Sequence, residues 1–290
     1  MTSAGFYKDR PAIRVDTGAL AALFLPEDGG KLASLKARDG YEYLYQGPES
    51  RYRRLTVDGS YIEAECSGWD DMFPTIDPYQ PEGLPPYPDH GEICRIPLEH
   101  IHGADSDLLR ADSRLFPVSF SKEIRALKDG GLSLRYTLRN DGREPFPCLW
   151  AAHCMLRAED EAEVLTPYAP DAPIRLMFGP DGQSRHRLSN DPGNDSAYKY
   201  YYTDPIPEGW CGCRYPGRKE TLLLRYDPRE IPWLAVWLNN GEFKGIRNIA
   251  LEPCTAPYDR PDAAAPGERQ LLPPGSETTF TLCIHIKKED

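Results

Sequence analysis

The amino-acid sequence predicts an all-β protein, mainly antiparallel and arranged as a large sandwich. Roughly fifteen segments carry the apolar patterns of strands, and no segment carries a convincing amphipathic helical pattern. Turn signals in which Gly follows Asp, Asn or another Gly recur between these segments. All-β chains of 290 residues commonly form one domain, so we expect a single domain over residues 1–290.

The first part of the chain predicts a series of antiparallel hairpins. Turns are expected at Asp28-Gly-Gly30 and at Asp39-Gly40. The strands expected on either side of these turns lie at 12–15, 20–25, 31–37 and 41–45.

Alternation with a period of two is clearest in the later segments. Every second residue is apolar in 132–138 and in 279–286, which predicts strands with one buried face. In 233–239 one face carries aromatic and amide side chains opposite an aliphatic face, which predicts the lining of a groove; its members are Trp233, Ala235, Trp237 and Asn239.

Residues 166–217 show little periodicity and are dense in Pro, Gly, Asp and Tyr. We expect long loops along one edge of a sheet there, with a strand or a packing surface at the tyrosine cluster 198–202.

Composition excludes several function classes. The net charge of −11 and the isoelectric point near 5.1 argue against a nucleic-acid partner, which would require clustered Lys and Arg. No apolar run is long enough to span a bilayer and the N-terminus lacks a signal-peptide pattern, so we expect a soluble cytoplasmic protein without membrane contact. Cys211-Gly-Cys213 is half of a metal-ligand pattern, but no second pair accompanies it, so no metal site is predicted.

The stretch 68–95 concentrates one Trp, six carboxylates, one His and one Arg among Pro and Gly residues. Loops of this composition commonly belong to a binding site. Indole rings stack on the C–H faces of sugars, while Asp, His and Arg side chains bind hydroxyl groups, so the mixture fits a carbohydrate. The alternative is a surface loop whose Trp fills the core and whose acids face water.

Two polar side chains interrupt apolar strand patterns further along the chain. His153 lies within the apolar run 148–155, with Leu149, Ala151 and Met155 on its face if the run is a strand. Glu252 ends an apolar segment just before Pro253. Each has a structural alternative, since His153 could be a satisfied core residue and Glu252 could reach solvent at a strand end.

The order of these features resembles the aldose 1-epimerase, or galactose mutarotase-like, family over nearly the whole chain. The features are Gly29-Gly30, the segment Gly68-Trp-Asp-Asp-Met-Phe-Pro, His90-Gly91, the strand residue His153, and Leu251-Glu252-Pro253. The resemblance implies a large antiparallel β-supersandwich of the galactose mutarotase-like type. It also implies a hexose or hexose derivative bound on a concave face and interconversion of its α and β anomers without a cofactor.

The resemblance further implies that Glu252 is the general base, that His153 is the general acid and that His90 holds the sugar. Carboxylates near His153 are expected to favour its imidazolium form. A further sugar-binding Asp is expected between residues 160 and 230. The remaining predicted sugar ligands are Asp71, Trp69, Arg95 and Trp237.

Phosphate recognition is in doubt because the 68–95 stretch departs from the glucose-6-phosphate epimerase branch. Trp69 replaces a Gly, Glu92 replaces a Phe, and Arg95 lies one position late. The run Arg51-Tyr-Arg-Arg54 is a candidate for an anionic substituent, with a solvated charge run as the alternative. Two other functions stay open: a non-catalytic sugar-binding or sensing protein on the same fold, and, ranked last, a lyase or hydrolase. The sequence predicts neither the sugar nor the oligomeric state.

Overall fold

The computed structural model describes residues 2–158, 161–180 and 195–289. Within these ranges the chain forms twenty β-strands and three single-turn 3-10 helices. The strands are β1 Thr2–Tyr7, β2 Arg10–Asp16, β3 Leu20–Leu25, β4 Lys31–Ala37, β5 Trp69–Met72, β6 Glu99–His102, β7 Asp107–Asp112, β8 Val118–Ala126, β9 Leu132–Asn140, β10 Phe146–Cys148, β11 Ala151–Arg157, β12 Glu163–Leu165, β13 Ile174–Phe178, β14 Ser196–Tyr202, β15 Trp210–Tyr215, β16 Glu220–Tyr226, β17 Trp233–Asn240, β18 Arg247–Cys254, β19 Gln270–Leu272 and β20 Glu277–Lys288. The 3-10 helices are Pro26–Asp28, Ile93–Arg95 and Pro216–Arg218.

Two large sheets and one small one contain these strands. The ten-stranded sheet has the order β1-β2-β3-β4-β5-β11-β18-β17-β14-β13, the eight-stranded sheet has the order β12-β15-β16-β20-β9-β8-β7-β6, and β10 pairs with β19. Neighbouring strands run antiparallel throughout the described residues. The predicted all-β antiparallel sandwich is therefore confirmed.

The main core lies between the two large sheets. Trp150, just before β11, packs against Tyr136 of β9 and Phe280 of β20, with ring centroids 4.6 and 4.7 Å apart. All three rings are at most 1% exposed. Removing a large side chain of this kind from water contributes roughly 1.5–3 kcal/mol. The strict alternation that predicted β9 and β20 is what sends these aromatic rings to the same side.

Several predicted elements are confirmed and others need correction. The segments 132–138, 233–239 and 279–286 lie within β9, β17 and β20. Residues 41–45, in contrast, make only isolated bridges through Glu42 and Leu44. The run 148–155 is broken, because β10 ends at Cys148 and β11 begins at Ala151.

The largest correction concerns residues 166–217, which were expected to form loops. Strands β13, β14 and β15 lie in this interval, of which 181–194 are outside the described residues. β14 lies between β13 and β17, and six of its seven residues are buried. The strand or packing surface expected at the tyrosine cluster 198–202 is confirmed as part of β14, whereas no sequence pattern indicated β13 and β15. None of the helices in the described part of the chain has the length and apolar character to cross a bilayer.

Candidate active site

A cavity of about 430 Å³ opens on the face of the ten-stranded sheet that does not contribute to the main core. Its base is formed by adjacent strands β11, β18, β17 and β14, and its walls by loops. The lining residues that carry polar chemistry are Asp77, Asp89, His90, His153, Lys199, Asn239, Lys244, Asn248, Glu252 and Asp259. The predicted residues His90, His153, Trp237 and Glu252 thus meet in one place.

Strand register explains why His153 and Glu252 meet. Between β11 and β18, Ala151 pairs with Cys254, and Cys154 pairs with Leu251. His153 and Glu252 therefore lie opposite each other between these two pairs. The Nε2 atom of His153 is 3.9 Å from Oε1 of Glu252. On the other side of β11, His153 pairs with Asp70 of β5. Three polar side chains therefore form a row across three strands on the cavity face.

A hydrogen-bond chain fixes the His153 ring from behind. Nδ1 of His153 lies 3.0 Å from the Tyr61 hydroxyl, and that hydroxyl donates to Oδ2 of Asp70 at 2.9 Å. The same carboxylate oxygen accepts from Nζ of Lys31 at 2.6 Å. Because Tyr61 gives its proton to Asp70, it accepts the Nδ1 proton of His153, which leaves Nε2 facing the cavity.

His90 occupies the wall beside this chain. Its ring stacks on Tyr61 with centroids 3.7 Å apart and an angle of 3°, and Nδ1 is 2.8 Å from Oδ1 of Asp89. His90 has φ of 60° and Gly91 has φ of 74°. A Cβ on Gly91 would lie 2.3 Å from the carbonyl oxygen of Phe73, so only Gly permits this close approach. The backbone conformation at His90 and Gly91 therefore places the His90 imidazole in the cavity wall.

Glu252 sits in a buried charge cluster that the sequence analysis did not foresee. Nζ of Lys199, on β14, is 2.9 Å from Oε2 of Glu252 and 2.8 Å from Oδ1 of Asp259. The Tyr201 hydroxyl donates to the same Asp259 oxygen at 2.9 Å. Oε1 of Glu252 accepts no hydrogen bond from the described residues, which leaves it available to a ligand hydroxyl.

Burial shifts the pKa values of His153 and Glu252 in the directions that favour the neutral form of each group. The pKa of His153 is lowered well below its usual 6.5 by burial and by the nearby charges of His90, Lys199 and Lys31. The expectation that carboxylates hold His153 as an imidazolium is therefore wrong for the resting site. Burial raises the pKa of Glu252, although Lys199 acts in the opposite direction. Burial alone would lower the pKa of Lys199, but Asp259 and Glu252 outweigh it, so Lys199 remains a cation.

Aromatic side chains form the remaining wall. Trp237 of β17 lies 5.9 Å from Phe178 and 5.2 Å from Phe243, measured between ring centroids, and all three line the cavity. The Trp237 ring is partly exposed to the cavity side, as the groove prediction for β17 required. These rings offer the flat apolar surface on which a pyranose ring stacks.

Trp69 and Asp71 were expected to hold the sugar, but the structure directs both away from the cavity. Asp70 faces His153, so its neighbours on β5 point to the opposite face. Trp69 is 1% exposed within the main core. Oδ2 of Asp71 accepts from Nζ of Lys122, on the eight-stranded sheet, at 2.7 Å. Asp70 is the acid on the cavity side of β5, where it binds Tyr61 and Lys31 without lining the cavity, and the parity of Trp69, a core-type side chain, was the signal that could have identified it.

Arg95 also has a different position from the one expected. Its guanidinium is buried and donates to backbone carbonyl oxygens rather than lining the cavity. Nε bonds to Gly91 at 3.0 Å and Nη1 bonds to Gly59 at 2.6 Å. Arg95 therefore holds the loops around His90 in place, a role that residue type alone does not distinguish from sugar binding.

Neither a protein-family model nor a curated protein sequence matches the chain. Solved structures do match it. A galactose mutarotase-like protein from Lactobacillus casei ATCC 334 has a TM-score of 0.68 at 18% identity, with 95% of this chain and 100% of that chain covered. A galactose mutarotase related enzyme from Lactobacillus acidophilus has a TM-score of 0.65 at 15% identity, with 99% and 98% covered. A protein from Synechocystis sp. PCC 6803 has a TM-score of 0.73 at 18% identity over the full length of both chains.

Identities this low carry no information about a particular activity, whereas the nearly complete coverage of both chains fixes the architecture. The predicted type of β-supersandwich is confirmed on that basis. The chain has the galactose mutarotase-like fold.

Proposed function

We propose that the protein is an aldose 1-epimerase that interconverts the α and β anomers of an uncharged hexose. The observation that carries this proposal is the pairing of Glu252 and His153 across adjacent strands, 3.9 Å apart at the base of a cavity with an aromatic wall. An acid and a base on one face of a sugar are what opening a pyranose ring requires. The mutarotase-like proteins of similar fold support the same class of substrate.

The reaction moves two protons in opposite directions. Glu252 takes the proton of the O1 hydroxyl while Nε2 of His153 gives a proton to the ring oxygen O5. The C1–O5 bond breaks and C1 becomes an aldehyde, which rotates before the ring closes by the reverse transfers. The pair must therefore carry one proton in total. His153, which is neutral in the resting site, has to take this proton up before the ring opens, and in the open-chain state the proton is on Glu252.

The direction of both pKa shifts favours this transfer. Burial disfavours the charged carboxylate of Glu252 and the charged imidazolium of His153. Moving the proton from the imidazolium to the carboxylate through the substrate replaces two buried charges by two neutral groups. Burial therefore stabilises the protonation state that accompanies the open sugar. Lys199 opposes complete neutralisation and keeps Glu252 able to act as a base in the closed-ring state.

The charges around the cavity support an uncharged sugar over a phosphorylated one. Four acids and two lysines are among the described lining residues; they are Asp77, Asp89, Glu252 and Asp259, and Lys199 and Lys244. The basic run 51–54, a candidate for an anionic substituent with a solvated charge run as the alternative, is not among the residues that line the cavity; Arg53 pairs with Glu49 and Arg54 pairs with Asp28. A phosphate group would meet a net negative surface there.

The test measures how fast a freshly dissolved anomer reaches equilibrium. Polarimetry or NMR saturation exchange on neutral and 6-phosphorylated hexoses should reveal acceleration by the wild type, larger for the neutral sugars. Glu252→Gln should reduce kcat by roughly 10²–10⁴-fold, the usual contribution of a positioned base. Glu220→Gln is the matched control, because Glu220 is also buried but binds Tyr43 at 2.6 Å outside the cavity. Equal rates for wild type and a folded Glu252→Gln variant would remove Glu252 from this role.

One observation favours a second candidate, a non-catalytic sugar-binding protein. Lys199 already neutralises one oxygen of Glu252 at 2.9 Å, and a cation at that distance weakens a base. This candidate predicts saturable calorimetric binding of hexoses without acceleration of anomerisation above the spontaneous rate. Acceleration by the wild type would exclude it.

A further inference from the structure

A second cluster of chemically active side chains lies outside the cavity, at an edge of the sandwich. It contains His100 and His102 on the edge strand β6 and Asp107 at the start of β7. His102 and Asp107 are direct cross-strand partners, and His100 shares their face because it is two residues from His102. The strand register therefore brings all three side chains together.

Both imidazoles converge on one carboxylate oxygen. Nε2 of His100 and Nδ1 of His102 lie 2.7 and 2.9 Å from Oδ1 of Asp107. The ligand-type atoms of all three residues are within 4.8 Å of one another. Around a tetrahedral zinc ion with ligand bonds of about 2.0–2.1 Å, neighbouring ligand atoms are about 3.3 Å apart. Each of the two N···O separations would need to lengthen by only about half an ångström to accept such an ion.

The acid of the cluster is held in place from behind. The Asp107 side chain is 1% exposed, and its second oxygen, Oδ2, accepts from the Thr2 hydroxyl at 2.7 Å. Hydrogen bonds of this kind orient metal-binding carboxylates and support their affinity. Since Thr2 belongs to β1, the contact also joins the edge of the ten-stranded sheet to the edge of the eight-stranded sheet.

The two imidazoles give an ion access from solvent. The side chains of His100 and His102 are 31% and 65% exposed, and β6 is paired on one side only among the strands that the structure describes. Two imidazoles and one carboxylate are a ligand set that zinc and the later divalent first-row metals prefer, whereas calcium and magnesium prefer oxygen ligands. Three protein ligands leave a coordination position for water or for a group from another molecule.

We propose that His100, His102 and Asp107 form a zinc-binding site at the edge of the sandwich. On binding, Nε2 of His100 and Nδ1 of His102 donate their lone pairs to the ion, and each neutral ring carries its proton on the other nitrogen. The Asp107 carboxylate supplies the third ligand. The ion ties β6 to β7 and, through Thr2, to β1, so it stabilises the edge at which both sheets end. This site is independent of the proposed epimerase activity.

The experiment is a calorimetric titration of the full chain, freed of metal with a chelator, with ZnCl₂ at neutral pH. We expect one zinc ion per chain and a rise of a few degrees in Tm with excess zinc, because a ligand that binds only the folded state stabilises it. Cobalt should bind with the visible absorption of a four-coordinate centre. The double variant His100→Ala/His102→Ala should lose at least tenfold in zinc affinity, and so should the isosteric Asp107→Asn.

His285→Ala is the matched control, since Nε2 of His285 also pairs with a carboxylate oxygen, that of Asp129 at 3.2 Å, without a second imidazole from the described residues. Its zinc affinity should equal that of the wild type. The proposal is overturned if the wild type binds no zinc with one-to-one stoichiometry. It is also overturned if zinc binding survives in the double variant but disappears in His153→Ala, because the ion would then lie in the cavity.

Discussion

Two neighbouring carboxylates on β5 have the same kind of partner and opposite surroundings. Asp70 lies 2.6 Å from Nζ of Lys31, and Asp71 lies 2.7 Å from Nζ of Lys122. All four side chains are at most 6% exposed. The first pair lies within the ten-stranded sheet, on the cavity side but behind Tyr61, while the second crosses the core to the eight-stranded sheet.

The difference teaches that a buried ion pair takes its role from what else it contacts. Asp70 also accepts from Tyr61, which bonds to His153, so this pair is connected to the proposed reaction. Lys122 instead donates to the carbonyl oxygen of Gly30 at 2.5 Å, and its pair with Asp71 connects only structural groups. We therefore expect changes on the core side to affect stability and changes on the cavity side to affect activity.

The largest expected effect tests the core side. Lys122→Met leaves the Asp71 carboxylate buried without its cation, and the free energy of unfolding should fall by about 3–5 kcal/mol. Urea denaturation measures this loss, and the folded fraction should keep the wild-type kcat. Lys122→Met/Asp71→Leu is the control that removes both charges and should recover much of the stability. Full stability of the single variant, or a large loss of kcat in folded protein, would contradict the purely structural role assigned to the Asp71–Lys122 pair.

The second prediction concerns the cation on the cavity side. Lys199 lowers the pKa of both Glu252 and His153, so Lys199→Met should raise both. An activity that requires one proton on the Glu252–His153 pair has a bell-shaped dependence on pH. Both limbs of that profile should move to higher pH in the Lys199→Met variant. The profile of kcat/KM measures the shift. Lys244→Met is the control, because Lys244 lines the same cavity but donates to the carbonyl of Ala64, and its limbs should stay in place. A shift to lower pH would contradict the assignment.

The smallest expected effect tests the chain behind His153. Tyr61→Phe keeps the ring that stacks on His90 and removes only the hydroxyl bonded to His153 and Asp70. One neutral hydrogen bond contributes about 0.5–1.5 kcal/mol, so kcat should fall by up to about tenfold. Tyr87→Phe loses a comparable bond, to the carbonyl of Pro147 at 2.7 Å, outside the cavity. Similar kcat values in the two variants would show that the Tyr61 bond is structural only.

Sequence patterns predicted the fold well wherever one face of a strand is buried. β9, β17 and β20 alternate because one side packs and the other does not, and this period is visible in the sequence. β14 was expected only as a strand or a packing surface at its tyrosine cluster, because a strand buried on both faces has no period of two. The role of Lys199 was not predicted, since its position among four tyrosines gives no indication of its ion pairs.

The candidate site was predictable only in part, for a similar reason. His153 and Glu252 stood out as single polar residues in apolar strands. Asp70 could have been separated from Asp71 by strand parity, but only after β5 had been recognised in a stretch rich in Pro and Gly. Arg95 was misplaced because hydrogen bonds to carbonyl oxygens depend on loop geometry, which residue types do not encode.

The pairing of β11 with β18 has a consequence for how the chain acquires its site. His153 and Glu252 are separated by 252 − 153 = 99 positions, and the strands that carry them are immediate neighbours in the sheet. Lys199 joins them from β14 through β17, on yet another part of the chain. Contacts between such distant segments form slowly, because a long loop must close before they can contribute free energy. The cavity is thus a product of completed sheet assembly, and we expect the proposed activity to return during refolding with the docking of the last central strand rather than with the first collapse of the core.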